Sequence, residues 1–112
     1  MWFIHKKHHT KAEPNYLDTY LAHWFESIFQ SFGFIIALFF IETTWIELII
    51  VTSLLNIRGM MRHDAYFTKI VGNHHLLHHK YSNCNFGEYW LDTIFGTKHS
   101  IKSEYRYGWL YT

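Results

Sequence analysis

The sequence has one cysteine and one proline in 112 residues. A single thiol, Cys84, excludes an internal disulfide framework and suits a reducing face. No low-complexity linker and no long tandem repeat divides the chain, and its length allows one domain, residues 1–112. Charge of one sign is also lacking. The formal net charge is +1 at pH 7, so electrostatic capture of nucleic acid is not indicated. No signal-peptide pattern follows Met1, because a polar, histidine-rich run begins almost at once. The most informative absence is local: every lysine and arginine lies before Ala12 or after Ile57.

Inside that interval, "IFQSFGFIIALFF" (28–40) and "WIELIIVTSLL" (45–55) are almost wholly apolar, with "IETT" between them. A mean hydropathy of -0.10 conceals this block. Each run is short for a spanning helix: thirteen residues rise only ~20 Å against a hydrocarbon core of ~30 Å. Helices reaching back to about Asn15 and on to about Asn56 supply part of the difference. Hydropathy alone also fits a buried helix pair in a soluble protein. The charge pattern favours a membrane hairpin, since basic residues flank both outer ends while only Glu42 and Glu47 lie near the middle. Both ends are then expected on the cytoplasmic face.

What the chain has in excess is histidine, ten residues in all, and aromatic side chains at 21%. The pattern H-x-x-H-H occurs twice, as His5, His8 and His9 in "HKKHH" and as His75, His78 and His79 in "HHLLHH". On a helix, positions i, i+3 and i+4 share a face, so each pattern can aim three imidazoles at one place. Lys6 and Lys7 then face water or headgroups, while Leu76 and Leu77 face packing partners or lipid. With ten histidines, one chance occurrence is roughly a one-in-ten event and two fall well below about one in a hundred. A purification tag would be an unbroken terminal run. Metal binding is the expected chemistry, since imidazole is the commonest metal ligand and suits zinc and iron. One shared site requires the apolar block to cross a membrane an even number of times, or not at all. His23, with Glu26 three residues on, and His63, beside Asp64, read alone as surface or packing histidines. Either carboxylate could orient an imidazole.

The pattern predicts a helix end over 2–10 and a turn at "KAEPNY", with Pro14 setting it and an extended residue before it. Helices are expected over about 17–40 and 45–58. Residues 63–80 read as mostly helical, with Gly72 and Asn73 as a weak point. "YSNCNFG" reads as a loop, and "EYWLDTIFG" as a short helix that stops at Gly96. Tyr105, Tyr107, Trp109 and Tyr111 alternate as in a short strand or an interfacial belt.

These motifs resemble the fatty acid hydroxylase/sterol desaturase superfamily of integral membrane enzymes. "HKKHH" is similar to its middle histidine box. "YLAHWFES" is similar to its HPxE segment, with Trp24 in the usual proline position. "HDAYF" through "GNHHLLHHKYSNCNFGEYWLDTIFGT" resembles its C-terminal signature, with Leu91 and Thr93 in the usual Trp and Arg positions. His63-Asp64 is most like the sterol desaturase branch.

The resemblance implies an all-α fold: an integral membrane helical hairpin with a cytoplasmic histidine-rich helical cap, in the endoplasmic reticulum or bacterial inner membrane. It implies metal ligation by His5, His8, His9, His75, His78 and His79, and adds His23, His63 and His74. It implies two iron ions, with zinc able to replace them after heterologous expression, and dioxygen as co-substrate. The expected reaction is hydroxylation or desaturation at an unactivated C–H bond of a membrane lipid, sterol or fatty acyl, as in lipid biosynthesis. Electrons are expected from a separate haem or flavin carrier. The family's earlier H-x-x-x-H box is not in this sequence, so the chain is expected to be the C-terminal part of such a domain or a reduced member of it. Two other functions compete. One is a zinc hydrolase using Glu26, Asp64 or Glu88 as general base; the other is a non-catalytic metal-binding remnant or partner of a full-length homologue.

Overall fold

The computed structural model describes residues 2–110. Its helices are α1 (Trp2–His5), α2 (Trp24–Leu38), α3 (Trp45–Arg62), α4 (Thr68–Val71), α5 (His74–Tyr81) and α6 (Tyr89–Phe95). Short 3₁₀ turns lie at His8–Thr10, Tyr16–Tyr20, Ala65–Phe67 and Lys102–Glu104. No strand occurs among the described residues, in keeping with an all-α fold.

Local chemistry explains where the helices start. Before α3, Thr44 accepts a hydrogen bond from Glu47 N at 3.3 Å, and the Glu47 carboxylate accepts from Thr44 N at 2.8 Å. Such a reciprocal cap stabilises a helix by about 1 kcal/mol. The helix expected over 17–40 does not form as one piece. Asn15 and Asp18 cap a separate 3₁₀ turn, and the chain breaks before His23, whose ring accepts from Phe25 N at 3.2 Å and starts α2. The expected helix end over 2–10 is likewise divided: α1 stops at His5, and His9 (φ -91°, ψ 21°) is not helical.

Near the other end of the chain, α6 stops at Gly96 as expected, in a left-handed conformation (φ 68°) that a side chain would strain. The aromatic tail forms no strand over its described residues. It is laced to the α4–α5 junction: Asn73 donates to Glu104 O at 2.8 Å and accepts from Arg106 N at 2.7 Å, and Leu110 N donates to Ile70 O at 2.8 Å. Gly108 permits this approach, because a Cβ there would lie 2.3 Å from Gly72 N. Tyr111 lies outside the described residues.

Burial is inverted relative to an ordinary water-soluble domain. Among the described residues the buried apolar side chains are Pro14, Val71, Leu77 and Cys84, whereas Asp18, His63, His74, His78, His79, Asn85 and Asp92 are buried polar groups. Meanwhile Phe29, Phe32 and Ile36 of α2 and Ile46, Ile49 and Leu54 of α3 are exposed. Contiguous apolar surface of this extent marks a contact with lipid or another chain. Among the described residues no helix is long and apolar enough to cross a membrane: α2 has 15 residues, and α3, with 18, carries Glu47, Arg58 and Arg62. The two helices flank a cleft of about 630 Å³, whose lining runs from Phe34, Ile35 and Leu55 to His8, His63 and His75.

Candidate metal centre

Seven imidazoles meet between the N-terminal segment, the end of α3 and helix α5. They form two groups, His8, His63, His75 and His79 in one and His5, His9 and His78 in the other, with one ligating atom from each residue lying within 4.8 Å of the others in its group. The two H-x-x-H-H patterns interlock. Each sends its i and i+4 histidines to one group and its i+3 histidine to the other: His5 and His9 meet His78, while His75 and His79 meet His8. His63, capping the C-terminus of α3, completes the group of four.

The ring nitrogens face inward with their lone pairs. His5 Nδ1 donates to Glu26 Oε1 at 2.6 Å, His8 Nδ1 to Leu21 O at 3.2 Å, His63 Nδ1 to Gly59 O at 2.8 Å and His78 Nδ1 to Cys84 O at 2.7 Å. A neutral imidazole with its proton on Nδ1 presents Nε2 as a bare acceptor. The Nε2 atoms of His63 and His8 thus face each other as bare acceptors 3.1 Å apart, while His9 Nε2 stands 2.9 Å from the Nε2 of both His5 and His78, and His75 Nε2 3.0 Å from that of His63. Facing acceptors cannot satisfy one another. Two nitrogens each about 2.0–2.1 Å from one metal ion stand about 3 Å apart, so the spacing suits a cation between them. Both ring nitrogens of buried His79 have no hydrogen-bond partner, a cost that ligation removes. The residues therefore fit metal ions.

Protonation agrees. Burial, followed by repulsion from neighbouring imidazoles, pushes His9 down to about 4 and His79 to about 2, and burial pushes His63 to about 4. His8 and His78 are lowered by burial against the pull of backbone hydrogen bonds, and His75 is lowered well below its ordinary value by burial and nearby Arg62. At neutral pH these rings are neutral, the form that ligates.

The model of the fatty acid hydroxylase family matches residues 1–97. The chain belongs to that family. The match takes in all seven converging histidines and ends with the α6 segment; the aromatic tail lies beyond it. The comparison with curated proteins finds no match, nor does the comparison with solved structures. Family membership implies oxidoreductase chemistry, and the imidazole groups supply places where this member of the fatty acid hydroxylase family can hold metal.

Two expected ligands stand apart from both groups. His23 serves as the cap of α2. His74, 3% exposed, turns its Nε2 to Asp92 Oδ2 at 2.9 Å. Asp92 also accepts from Gly87 N at 2.9 Å, Phe86 N at 3.1 Å and the Thr97 hydroxyl. Burial pushes its carboxyl upward, but these donors outweigh burial and hold it below the usual range. Sequence reasoning assigned Asp92 no role, although it lies in the closing "WLDTIFGT". Asn85, fully buried with φ 56°, ties the same region together by donating to His74 O and accepting from His99 N and the Tyr105 hydroxyl. Of the three candidate carboxylates, Glu26 orients His5. Asp64 caps a turn through Tyr66 N, and Glu88 pairs with Arg58 and Arg62.

Proposed function

We propose that this chain forms the metal-holding part of a membrane lipid oxidoreductase that hydroxylates or desaturates a sterol or fatty acyl chain. The observation that carries this reading is the interlocking of the two histidine patterns into adjacent groups of four and three imidazoles in a member of the fatty acid hydroxylase family. Two iron ions held there would supply the redox chemistry by which dioxygen, with two electrons and two protons from a haem or flavin carrier, oxidises a C–H bond. The balance is an alcohol and one water for hydroxylation, or an alkene and two waters for desaturation.

The chain's own residues perform the remaining tasks. His8, His63 and His75 line the end of the cleft, so an alkyl chain lying past Phe34, Ile35 and Leu55 reaches one imidazole group directly. Fixing a C–H bond there converts an encounter into a positioned reaction. Glu26 and the carbonyls of Leu21, Gly59 and Cys84 hold the rings in one tautomer. The exposed apolar faces of α2 and α3 support a hairpin in the bilayer, with lipid entering the cleft sideways. Apolar sequence continues past α2 through Ile41, which lengthens that arm. The absence of cations between Lys11 and Arg58 supports an orientation with the imidazole end on the cytoplasmic side, in keeping with the endoplasmic reticulum or a bacterial inner membrane.

The test is iron loading under anaerobic conditions in native-like membranes, followed by dioxygen, a reductant and a lipid extract. Lipids that gain one oxygen or lose two hydrogens, in step with bound iron, are the expected outcome. Tight zinc binding with no iron-dependent dioxygen uptake would sink the proposal and leave a redox-inert metal site.

A further inference from the structure

We propose that α6 is a membrane-surface helix, whose Trp90 and Ile94, with Phe86 from the loop before it, bed into the headgroup–acyl boundary of a phospholipid bilayer. The inference rests on the membrane reading above and adds an element that the two apolar helices do not include.

Trp90 and Ile94 stand four apart on α6 and are 61% and 69% exposed; neighbouring Phe95 is 73% exposed, and Phe86 in the preceding loop is 61% exposed. On a helix the spacing of Trp90 and Ile94 makes one stripe, and Phe86 lies outside it, in the loop that leads into α6. The inner side of α6 is settled without it. Asp92 is 2% exposed and saturated by His74, Gly87, Phe86 and Thr97. The helix is therefore anchored by polar bonds and turns its apolar side outward, the reverse of a water-soluble surface helix.

Its position supplies the occupant. Glu88, the residue just before α6, accepts from Arg62 at 3.0 Å and from Arg58. Arg58 is the first cation after the interval that begins at Ala12. Phe86 and Trp90 flank Glu88, so they lie at the level where the uncharged apolar surface of α3 ends and charge begins. Tryptophan and phenylalanine at that level are the side chains that a bilayer interface accommodates best. Cations stand beside them: Arg58 on Glu88, and Lys98 with its ammonium 4.6 Å above the Tyr89 ring. These suit lipid phosphates. The consequence for the site is direct. The bond between Asp92 and His74 joins α6 to α5, the helix that carries His75, His78 and His79. The depth of α6 thereby sets the height of those imidazoles above the acyl chains.

Photo-crosslinking of the full chain in phospholipid membranes tests this. p-Benzoylphenylalanine is placed singly at positions 90, 94, 102 and 50, all exposed. Phospholipid adducts several-fold more abundant at 90 and 94 than at 102 are expected. Protein dimers without lipid adducts at 90 and 94 would identify a second copy of the chain as the occupant and overturn the proposal. So would yields at 90 and 94 no higher than at 102. Position 50 on α3 separates the two readings. Lipid adducts at 50 but not at 90 or 94 would remove only the α6 inference. Absence of lipid adducts at all four positions would remove the membrane hairpin as well.

Discussion

His9 Nε2 and His78 Nε2 stand 2.9 Å apart although 69 residues separate them in sequence. The i+4 histidine of the first pattern meets the i+3 histidine of the second, and the same exchange, reversed, brings His8 to His75 and His79. Neither pattern builds a group alone.

Metal loss should follow the groups and not the sequence patterns. His9→Ala and His78→Ala, singly or together, should remove the same ion, so the double variant loses little beyond either single one. His9→Ala combined with His63→Ala should lose metal from both groups. Shared partners make such effects non-additive, and separate ones make them additive. Metal analysis of the purified variants checks this; additive losses for His9 with His78 would break the assignment.

Glu26→Gln should weaken metal binding in the group containing His5 by about 10- to 100-fold, the usual cost of losing a carboxylate behind a ligating histidine. The exposed carboxylate Glu42 serves as control, since Glu42→Gln should change nothing. Competition with a chromophoric chelator measures both. Equal affinities for the Glu26 variant and wild type would show that the 2.6 Å bond to His5 does not support ligation.

The metal-free protein should lose stability on mild acidification. His9 and His63 titrate near 4 in the fold against an ordinary 6.5, with burial as the main cause. Between those values the unfolded chain binds more protons than the folded one, so stability rises with pH through that window and falls as pH is lowered. Above about 6.5 these groups are neutral in both states and contribute no slope. Thermal unfolding of chelator-treated protein from pH 7.5 to 4.5 should show a falling midpoint below about 6.5. A midpoint that is constant or rises on acidification would contradict the burial of these rings.

His74→Ala and Asp92→Ala should damage the fold without removing a metal ligand. Removing Asp92 strands buried His74 and three further donors, at a cost of roughly 3 kcal/mol, whereas removing His74 leaves Asp92 its bonds from Gly87, Phe86 and Thr97 and costs less. The metal content of the surviving folded protein should equal that of wild type. Chemical denaturation and metal analysis on the same samples give both quantities. A folded His74→Ala protein lacking one ion would return His74 to the ligand set.

Sequence alone pointed to metal binding through repeated H-x-x-H-H, showed which family the chain resembles, and determined that residues 28–55 are apolar and free of cations. It also placed the stop of α6 at Gly96, because a left-handed turn after a short amphipathic run has a strong local signature. These properties are local or compositional, and so legible in one dimension. Tertiary structure decided which imidazoles meet. Helical spacing could not separate His74 from His75, since His78 is i+4 from one and i+3 from the other and both could share its face. Asp92 and Asn85, distant in sequence, draw His74 away and leave His75 to face His63. Nor did the first pattern need the continuous helix that its spacing suggested. α1 ends at His5, and the convergence of His8 and His9 comes from rings carried by α3 and α5. A spacing rule describes one segment's faces, whereas a metal centre is a meeting of several segments, and only the packing of the whole chain sets that meeting.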